Sequence, residues 1–563
     1  MVFDTPSASL MTRPSFGELY MPKLVTVLRE GYGLAALRAD AMAGLTVAIV
    51  ALPLSMAIAI ASGTTPERGL FTAIVGGFLI SALGGSRFQV GGPAGAFIVL
   101  VASAVDRHGI DGVVLATMMA GVFLALAGLL RLGTFIKFIP YPVTVGFTAA
   151  IAVIIFASQV KDLLGLKLDG KEPAAFIAKI EILARSLDTI SPAAVALSLL
   201  TIGLIVGTKK LKPHWPGMLI AVVVAAVATF AFALPVETIG SRFGGIPALL
   251  PSPHLPAFSL EKVQAVLPDA VAFALLGAIE SLLSAVVADG MTGRRHRSNC
   301  ELLAQGAANV GASLFGSLPA TGTIARTATN VRAGARGPIA GMMHAAFLLL
   351  FMLLAAPLFA YVPLAALAGV LAVVAWNMAE KYEFLTLLRS SRGDAVVLLA
   401  TFLLTVFRDL TEGIVVGFAL GAVLFIRRMA GATGIEALAD RSDAADRRAP
   451  YDPKLATDEE VVVYRLSGAF FFGTASILNA VLDRIGDRHK ALVVDFSAVP
   501  FVDSTAANAI AAIARKAGRH KVRVFVTGAT PAVRHALLAA GARRPQVRYR
   551  RHIEDAVIEG RSV

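Results

Sequence analysis

Apolar stretches of about 20 residues recur between positions 40 and 428 and restrict what this chain can fold into. Of the 563 residues, 56% are hydrophobic and only 16% are charged. A helix of about 20 apolar residues crosses roughly 30 Å of hydrocarbon. Stretches of this length favour helices, whose backbone polar groups are satisfied internally away from water. The sequence therefore predicts an α-helical polytopic membrane protein.

Two short glycine-containing interruptions lie at matching places in the two halves of this region. The first covers positions 91–96 and the second covers positions 318–326. Each opens an apolar run that is too short to cross a bilayer alone. Paired broken segments of this kind indicate the binding site of a secondary transporter built from inverted repeats.

The apolar pattern predicts fourteen membrane segments, seven in each half, and an odd number per half gives a 7+7 inverted repeat. Asp40 precedes the first segment and Asp269 opens the eighth, which aligns the halves. The first set is 41–61, 69–84, a half-helix at 94–106, 112–131, 142–159, 192–208 and 217–235. The second set is 268–289, 301–316, a half-helix at 321–333, 336–357, 363–379, 394–408 and 411–428.

The Lys and Arg residues of the loops predict the orientation. Loops such as 294–297 and 209–212 are basic, whereas those near 61–68, 316–320 and 357–363 contain almost no Lys or Arg. By the positive-inside rule, we expect both termini in the cytoplasm of a bacterial-type inner membrane. The net charge of +13 fits this bias plus a basic tail. No basic element interleaved with exposed aromatic residues indicates nucleic-acid binding.

The chain divides into four predicted parts. Residues 1–39 form a cytosolic N-terminal segment, 40–430 a membrane transport domain, 431–458 a polar linker and 459–563 a small soluble domain. Strands near 461–466, 491–496 and 522–526 alternate with helices near 475–485, 504–517 and 532–540, which predicts an α/β domain. A further surface helix is predicted between 161 and 188, with Phe176, Ile180 and Leu183 on one face.

Glu280 lies in the middle of the eighth segment, with Ser284 one turn further on. A carboxylate inside a bilayer is costly and therefore marks function. We interpret this pair as the ion-coupling site, which takes up a proton or holds Na⁺. The alternative is that Glu280 makes a structural ion pair or a packing hydrogen bond.

Arg326 lies in the first turns of the second half-helix. Half-helix N-termini present free N–H groups and a positive dipole end, so two of them facing each other suit an anion. The alternative is that Arg326 only neutralises Glu280. Ser55 could reach the same pocket or bond within its own helix. The predicted substrate-binding residues are Ser55, Ala94, Gly95, Ala96, Thr323, Ile324, Ala325 and Arg326.

Motifs of bond-cleaving enzymes are not found in the sequence. It contains no paired Cys/His metal spacing, no phosphate-cradling Gly-Lys-Ser/Thr loop and no nucleophile elbow. We therefore expect a transporter that is not an enzyme, uses no cofactor or metal and runs on ion gradients.

Four segments resemble the sulfate permease family of anion transporters, called solute carrier 26 in animals. They are Asp40 to Ala48, Gly91 to Gly95, Gly277 to Leu283 and Pro319 to Asn330. The tail resembles a STAS domain, with residues 502–506 at its strand-to-helix loop. The resemblance implies a core and a gate domain, an anion site between the third and tenth segments, an elevator-type motion and a homodimer.

The resemblance also bears on ion coupling and regulation. Glu280 matches the family's coupling carboxylate, and Glu there implies H⁺ symport, whereas Asp there with a hydroxyl residue four positions on implies Na⁺ coupling. Leu54 stands where many members have Gln, and a polar substrate contact is then missing. Ser504 and Thr505 match the phosphorylatable loop positions of STAS proteins, but Ala506 replaces their usual Gly.

The sequence thus predicts an H⁺-coupled symporter of bicarbonate, sulfate or a small dicarboxylate. A Na⁺-coupled bicarbonate symporter is the alternative within transport. A membrane-anchored signalling scaffold, whose STAS domain binds a cytosolic protein, is the alternative from another class.

Overall fold

A computed structural model describes most of the chain. The described residues are 19–134, 140–168, 170, 172–173, 175–212, 215–408, 410–431, 434–437, 461–468, 490–502, 504–519 and 522–562. The chain forms two compact units, which divide after Phe418, within the last helix of the apolar region.

Helices dominate the first unit, and seven of those in the described ranges are long and apolar enough to cross a membrane. The first half contains α1 (Lys23–Arg29), α2 (Leu34–Ala61), α3 (Pro66–Phe71), α4 (Gly77–Leu83), α5 (Ile98–Leu129), α6 (Tyr141–Leu164), α7 (Phe176–Arg185), α8 (Pro192–Leu211), α9 (Gly217–Ala231) and α10 (Ile239–Phe243). The second half contains α11 (Leu260–Thr292), α12 (Ser298–Ser313), α13 (Ile324–Arg332), α14 (Ile339–Phe359), α15 (Leu364–Met378), α16 (Lys381–Ser390), α17 (Arg392–Phe407) and α18 (Leu410–Gly431).

Each of the fourteen predicted segments corresponds to a helix or to part of one. The second segment consists of α3 and α4 joined by a π-helical turn at Thr72–Gly76. The third and fourth segments are the two parts of α5, which breaks at Gly109, where φ is +67°. Glycine adopts this left-handed conformation without a steric penalty, so the chain can turn there. The predicted surface helix is α7.

The helix ends differ from the sequence prediction in two places. Helix α2 begins at Leu34, ahead of the apolar run, and α11 begins at Leu260 with Pro268 inside it. The Ser259 hydroxyl accepts a hydrogen bond from the backbone N–H of Lys262 at 3.2 Å and caps α11. Polar residues such as Glu261 continue a helix as readily as apolar ones, so hydropathy alone places its start too late.

Several contacts between a helix of the first half and a helix of the second half have a counterpart in which the two halves have changed places. Helix α2 packs on α14, and α11 packs correspondingly on α5. Gly44 on α2 allows this approach, because a Cβ there would lie 2.6 Å from the carbonyl oxygen of Ala340 on α14. A second group of helices follows the same rule, with α6 on α17 and α15 on α8. The packing agrees with two structurally related halves.

The second unit contains a five-stranded sheet. Its strands, in spatial order, are β3 (Gly434–Ala437), β4 (Val461–Ser467), β5 (Ala491–Ala498), β6 (Arg523–Thr527) and β7 (Val547–Tyr549). Strand β3 is antiparallel to β4, and the remaining pairs are parallel. The helices are α19 (Ser504–Arg519), α20 (Pro531–Ala539) and α21 (Ile553–Arg561).

Strand β5 is buried on both faces, as its continuous apolar run predicts. Leu492 and Phe496 pack towards α19, and Val493 packs in a separate cluster with α21. Strand β3 lies inside the segment predicted as a linker. The predicted helix near 475–485 lies outside the described residues.

Candidate functional site

Two short strands bring the interruptions of the two halves together. Strands β1 (Gly91–Gly92) and β2 (Thr321–Gly322) pair antiparallel, with Gly91 opposite Gly322 and Gly92 opposite Thr321. A 3₁₀ turn at Gly95–Phe97 follows the first interruption and leads into α5, whereas α13 follows the second directly. The N-termini of both half-helices therefore start from one shared backbone bridge. The sequence does not indicate this strand pairing.

Further hydrogen bonds reinforce the bridge on the side of α13. The backbone N–H of Thr323 donates to the Val90 carbonyl at 3.1 Å, and its hydroxyl donates to the same oxygen at 3.3 Å. The Val90 N–H donates to the Thr327 hydroxyl at 3.2 Å. In this structure the Thr323 hydroxyl thus joins the two interruptions.

Arg326 lies in α13 with 2% of its surface exposed. Its Nη1 donates to the Gly91 carbonyl at 3.3 Å, and its Nη2 donates to the Ser55 hydroxyl at 3.0 Å and to the Pro93 carbonyl at 3.3 Å. Its Nε has no hydrogen-bond partner in the described part of the chain. All three acceptors belong to the first half, so a cation from the second half lies against the first interruption.

Gly92 makes the approach of Arg326 possible. Its φ is +154°, and a Cβ at this position would lie 1.8 Å from Nη1 of Arg326. Any larger residue would displace the guanidinium. Gly322 is in a similar position, since a Cβ there would lie 1.6 Å from Nε2 of the buried Gln89.

Ser55 bonds within its own helix and also to Arg326. Its hydroxyl donates to the Ala51 carbonyl within α2 at 2.6 Å and accepts from Arg326. A hydroxyl has one donor and two acceptor lone pairs, so the two bonds are compatible.

Glu280 lies on α11 and is 9% exposed. Across the described ranges, its carboxylate has no ion pair and no side-chain hydrogen bond, and Arg326 is not within ion-pair distance of it. The partners of Arg326 are carbonyl and hydroxyl oxygens instead. The carboxylate and the guanidinium are therefore both buried without direct mutual neutralisation.

Ser284 connects α11 to α13. Its buried hydroxyl donates to the Thr327 hydroxyl at 2.9 Å. A second link runs from the Thr321 hydroxyl to the Gly277 carbonyl at 3.1 Å. Sequence reasoning overlooked Thr327, although it lies four residues after Thr323 and therefore on the same helix face.

The remaining predicted substrate residues surround the half-helix starts. Ala94 and Ala96 are buried, Ile324 is half-buried and Ala325 is exposed. A Cβ on Gly95 would lie 3.4 Å from Ile155 on α6 and 3.5 Å from Met378 on α15. The first half-helix thus borders the second helix group.

Other polar residues singled out by their burial serve the fold. The Asn309 side chain bonds both the N–H and the carbonyl of Ala320, and the Asn330 amide donates to the Phe88 carbonyl. In the second unit, Ser504 and Thr505 begin α19, and their side chains lie outside the described residues.

Two broken helices that meet at a glycine bridge, within a unit of long apolar helices, define a polytopic membrane protein of the transporter class. Residues 37–401 match the sulfate permease family and residues 452–556 match the STAS domain. The chain belongs to the sulfate permease family, which consists of transporters and not of enzymes. The family assignment predicted from the sequence is confirmed.

Two named relatives align with most of the chain. The putative sulfate transporter YvdB of Bacillus subtilis is 40% identical over 501 residues, which cover 89% of this chain and 93% of the relative. The bicarbonate transporter BicA of Picosynechococcus is 33% identical over 521 residues, which cover 89% of this chain and 90% of the relative.

Solved structures confirm the fold class. The transmembrane domain of a cyanobacterial bicarbonate transporter BicA is 32% identical, with a TM-score of 0.62, over 68% of this chain and 98% of that structure. Murine solute carrier 26 family member A9, in an inward-facing state, gives a TM-score of 0.85 over 100% of this chain and 97% of that one. At 19% identity, the second likeness concerns the fold alone.

Proposed function

We propose that this protein is a secondary active transporter of small anions, in which the anion binds between the N-termini of α5 and α13. One observation carries this proposal: Arg326 is buried at the bridge between the half-helices and has no carboxylate partner in the described residues. A buried charge without a counter-ion is costly. A bound anion supplies that counter-ion.

The helix geometry supports the same sign of ligand. A helix N-terminus carries roughly half a positive elementary charge, concentrated in its first turn. Two N-termini and one guanidinium near a shared bridge add up to a strongly positive site. The first N–H groups of α13 have no acceptor within the helix, and Ala325 in this first turn is exposed.

The substrate we propose is a small oxyanion, namely bicarbonate, sulfate or a small dicarboxylate. Relatives with the names sulfate transporter and bicarbonate transporter each align with nearly nine tenths of this chain. Both anions are compact and accept hydrogen bonds from several directions, as the N–H groups of two helix ends require.

We propose coupling to protons through Glu280. Its buried carboxylate has no partner among the described residues, and neutralisation by a proton removes the cost of carrying the charge through the membrane. Na⁺ coupling is the alternative, with Glu280 and the Ser284 oxygen as ligands, since the Ser284 hydroxyl donates to Thr327 and keeps its lone pairs.

The proposed motion is of the elevator type. The helices that carry the site (α2 to α5 and α11 to α14) would move relative to the group containing α6 and α15, which Gly95 contacts. We further propose a homodimer in the inner membrane, with both termini in the cytoplasm and the STAS domain available to a cytosolic partner.

Counterflow in proteoliposomes tests the proposal. Labelled bicarbonate, sulfate and fumarate would be offered while the H⁺ and Na⁺ gradients are varied separately. We expect one anion class to exchange and to accumulate with an inward H⁺ gradient. Folded protein that moves none of them contradicts the transporter proposal. If the protein is a signalling scaffold instead, Arg326→Ala should leave the cellular phenotype intact, whereas deletion of residues 451–563 should abolish it.

A further inference from the structure

Two buried aspartates take equivalent places in the two halves and do not belong to the anion site. Asp40 lies in α2 with 0% exposure, and Asp269 lies in α11 with 4% exposure. They align when the first segments of the two halves are superposed along the sequence. A buried carboxylate needs strong partners, and both residues have them.

Asp40 binds the turn between α13 and α14. Its Oδ1 accepts hydrogen bonds from the backbone N–H of Arg336 at 2.5 Å and of Gly337 at 3.1 Å. Its Oδ2 accepts from the Tyr32 hydroxyl at 2.5 Å. Burial, together with this carboxylate, raises the pKa of Tyr32, so its hydroxyl stays a donor. This first-half residue thus holds the chain directly after the second half-helix.

Asp269 binds the far end of the half-helix in the first half. Its Oδ1 accepts from Nη2 of Arg107 at 2.6 Å, and its Oδ2 lies 3.2 Å from Nε2 of His108. Arg107 and His108 immediately precede the break of α5 at Gly109. This second-half residue thus holds the far end of the first half-helix.

We propose that Asp40 and Asp269 are positioning residues that fix the far end of the opposite half's broken helix and so aim its N-terminus at the anion. The role in anion binding rests on the proposed function. Each half-helix is held at its near end by the β1–β2 bridge and at its far end by one aspartate. A short helix that is fixed at both ends has a fixed tilt. Because the helix dipole acts mainly through the first turn, this tilt decides where the positive end points.

The two anchors differ in the charge of their donors. Asp40 binds neutral donors, and the amide oxygen of asparagine can still accept the two backbone hydrogen bonds from Arg336 and Gly337, although its NH2 group cannot accept from Tyr32. Asp269 binds the guanidinium of Arg107, whose side chain is 53% exposed, and an amide there loses the ionic contribution. Asp40→Asn therefore perturbs transport less than Asp40→Ala, whereas Asp269→Asn already weakens its anchor.

Transport kinetics form the first arm of the test. We expect Asp269→Asn and Arg107→Gln each to raise the KM for the transported anion several-fold, with Vmax for exchange retained. The double variant should raise the KM no further than Asp269→Asn alone, because both changes remove the same contact between Asp269 and Arg107. Glu261→Gln on the same helix, exposed in its first turn, is the matched control.

Hydrogen exchange on the full-length protein forms the second arm and needs no transport. Asp269→Asn should speed exchange at 104–112, and Asp40→Ala should speed it at 332–337, each in the half opposite the substitution. If hydrogen exchange is unchanged, or is faster throughout the protein, the two aspartates do not anchor the opposite half-helices. A fall in folded yield with unchanged KM overturns the positioning role. If the wild-type protein transports no anion, the proposed function is wrong and the positioning role is wrong with it. The hydrogen-exchange results still show whether the two aspartates anchor the half-helices.

Discussion

The Ser55 hydroxyl accepts a hydrogen bond from Nη2 of Arg326 at 3.0 Å, and the two residues belong to opposite halves of the chain. Ser55 also donates to the Ala51 carbonyl, so its acceptor lone pairs point away from its own helix. The remaining acceptors of Arg326 are the carbonyls of Gly91 and Pro93. Ser55 is thus the side chain by which α2 orients the buried cation.

Ser55→Ala should raise the KM for the transported anion about tenfold or more, because a hydrogen bond to a charged group contributes about 1.5–3 kcal/mol and each 1.4 kcal/mol is a factor of about ten. The folded yield should change little, since alanine is a good helix former. Initial rates of anion exchange in proteoliposomes measure the effect.

Ser62→Ala is the matched control for this substitution. Ser62 is equally buried next to the end of α2, and its hydroxyl donates to the Ile58 carbonyl at 2.7 Å without contacting Arg326. We expect its KM to stay at the wild-type value. A rise in KM of the same size in both variants would show that an intrahelical hydroxyl bond, rather than the contact with Arg326, matters.

Hydropathy and the paired interruptions were enough to predict the helical architecture and where the two halves meet. Length and apolarity are encoded locally, so every predicted segment has its helix. The partners of Arg326 could not be predicted, because Ser55 and Gly91 approach it only after two distant segments have paired. The same holds for the bond between Ser284 and Thr327, which joins separate helices.

Glu280→Gln should abolish accumulation driven by a proton gradient and retain anion exchange. Glutamine cannot take up the coupling proton, whereas neither the bridge nor Arg326 makes a hydrogen bond or ion pair with this side chain in the described part of the chain. Uptake with and without an inward H⁺ gradient, compared with counterflow at equal pH, separates the two modes. Glu261→Gln, an exposed carboxylate of the same helix, should keep both modes. Equal loss of accumulation and exchange in Glu280→Gln would mean that Glu280 supports the structure instead.

Gly92→Ala should abolish anion binding. The added Cβ would lie 1.8 Å from Nη1 of Arg326, and the backbone, at a φ of +154°, disfavours a side chain. The displaced guanidinium leaves the bridge without its cation. Titration of substrate-dependent thermal stabilisation in detergent measures binding directly.

Gly109→Ala is the control for Gly92→Ala, because it strains the backbone without displacing Arg326. Its φ is +67°, and no atom lies within 4 Å of the added Cβ. Because ψ is −177°, this backbone conformation is almost exclusive to glycine, and we expect a loss of stability of about 1–3 kcal/mol with binding preserved. If both glycine variants lost binding equally, the contact between Gly92 and Arg326 would not explain the effect.

Asn309→Ala should destabilise the membrane domain without changing its ion dependence. The Asn309 side chain accepts from the Ala320 N–H and donates to the Ala320 and Gln305 carbonyls, each at 2.8 Å. Alanine leaves the polar groups of Ala320 buried and unpaired directly before β2, which costs about 1–3 kcal/mol. The melting temperature in detergent should fall, whereas Ser313→Ala, which removes one intrahelical bond on α12, should leave it almost unchanged. A change in H⁺ dependence at an unchanged melting temperature would instead assign Asn309 to the coupling pathway.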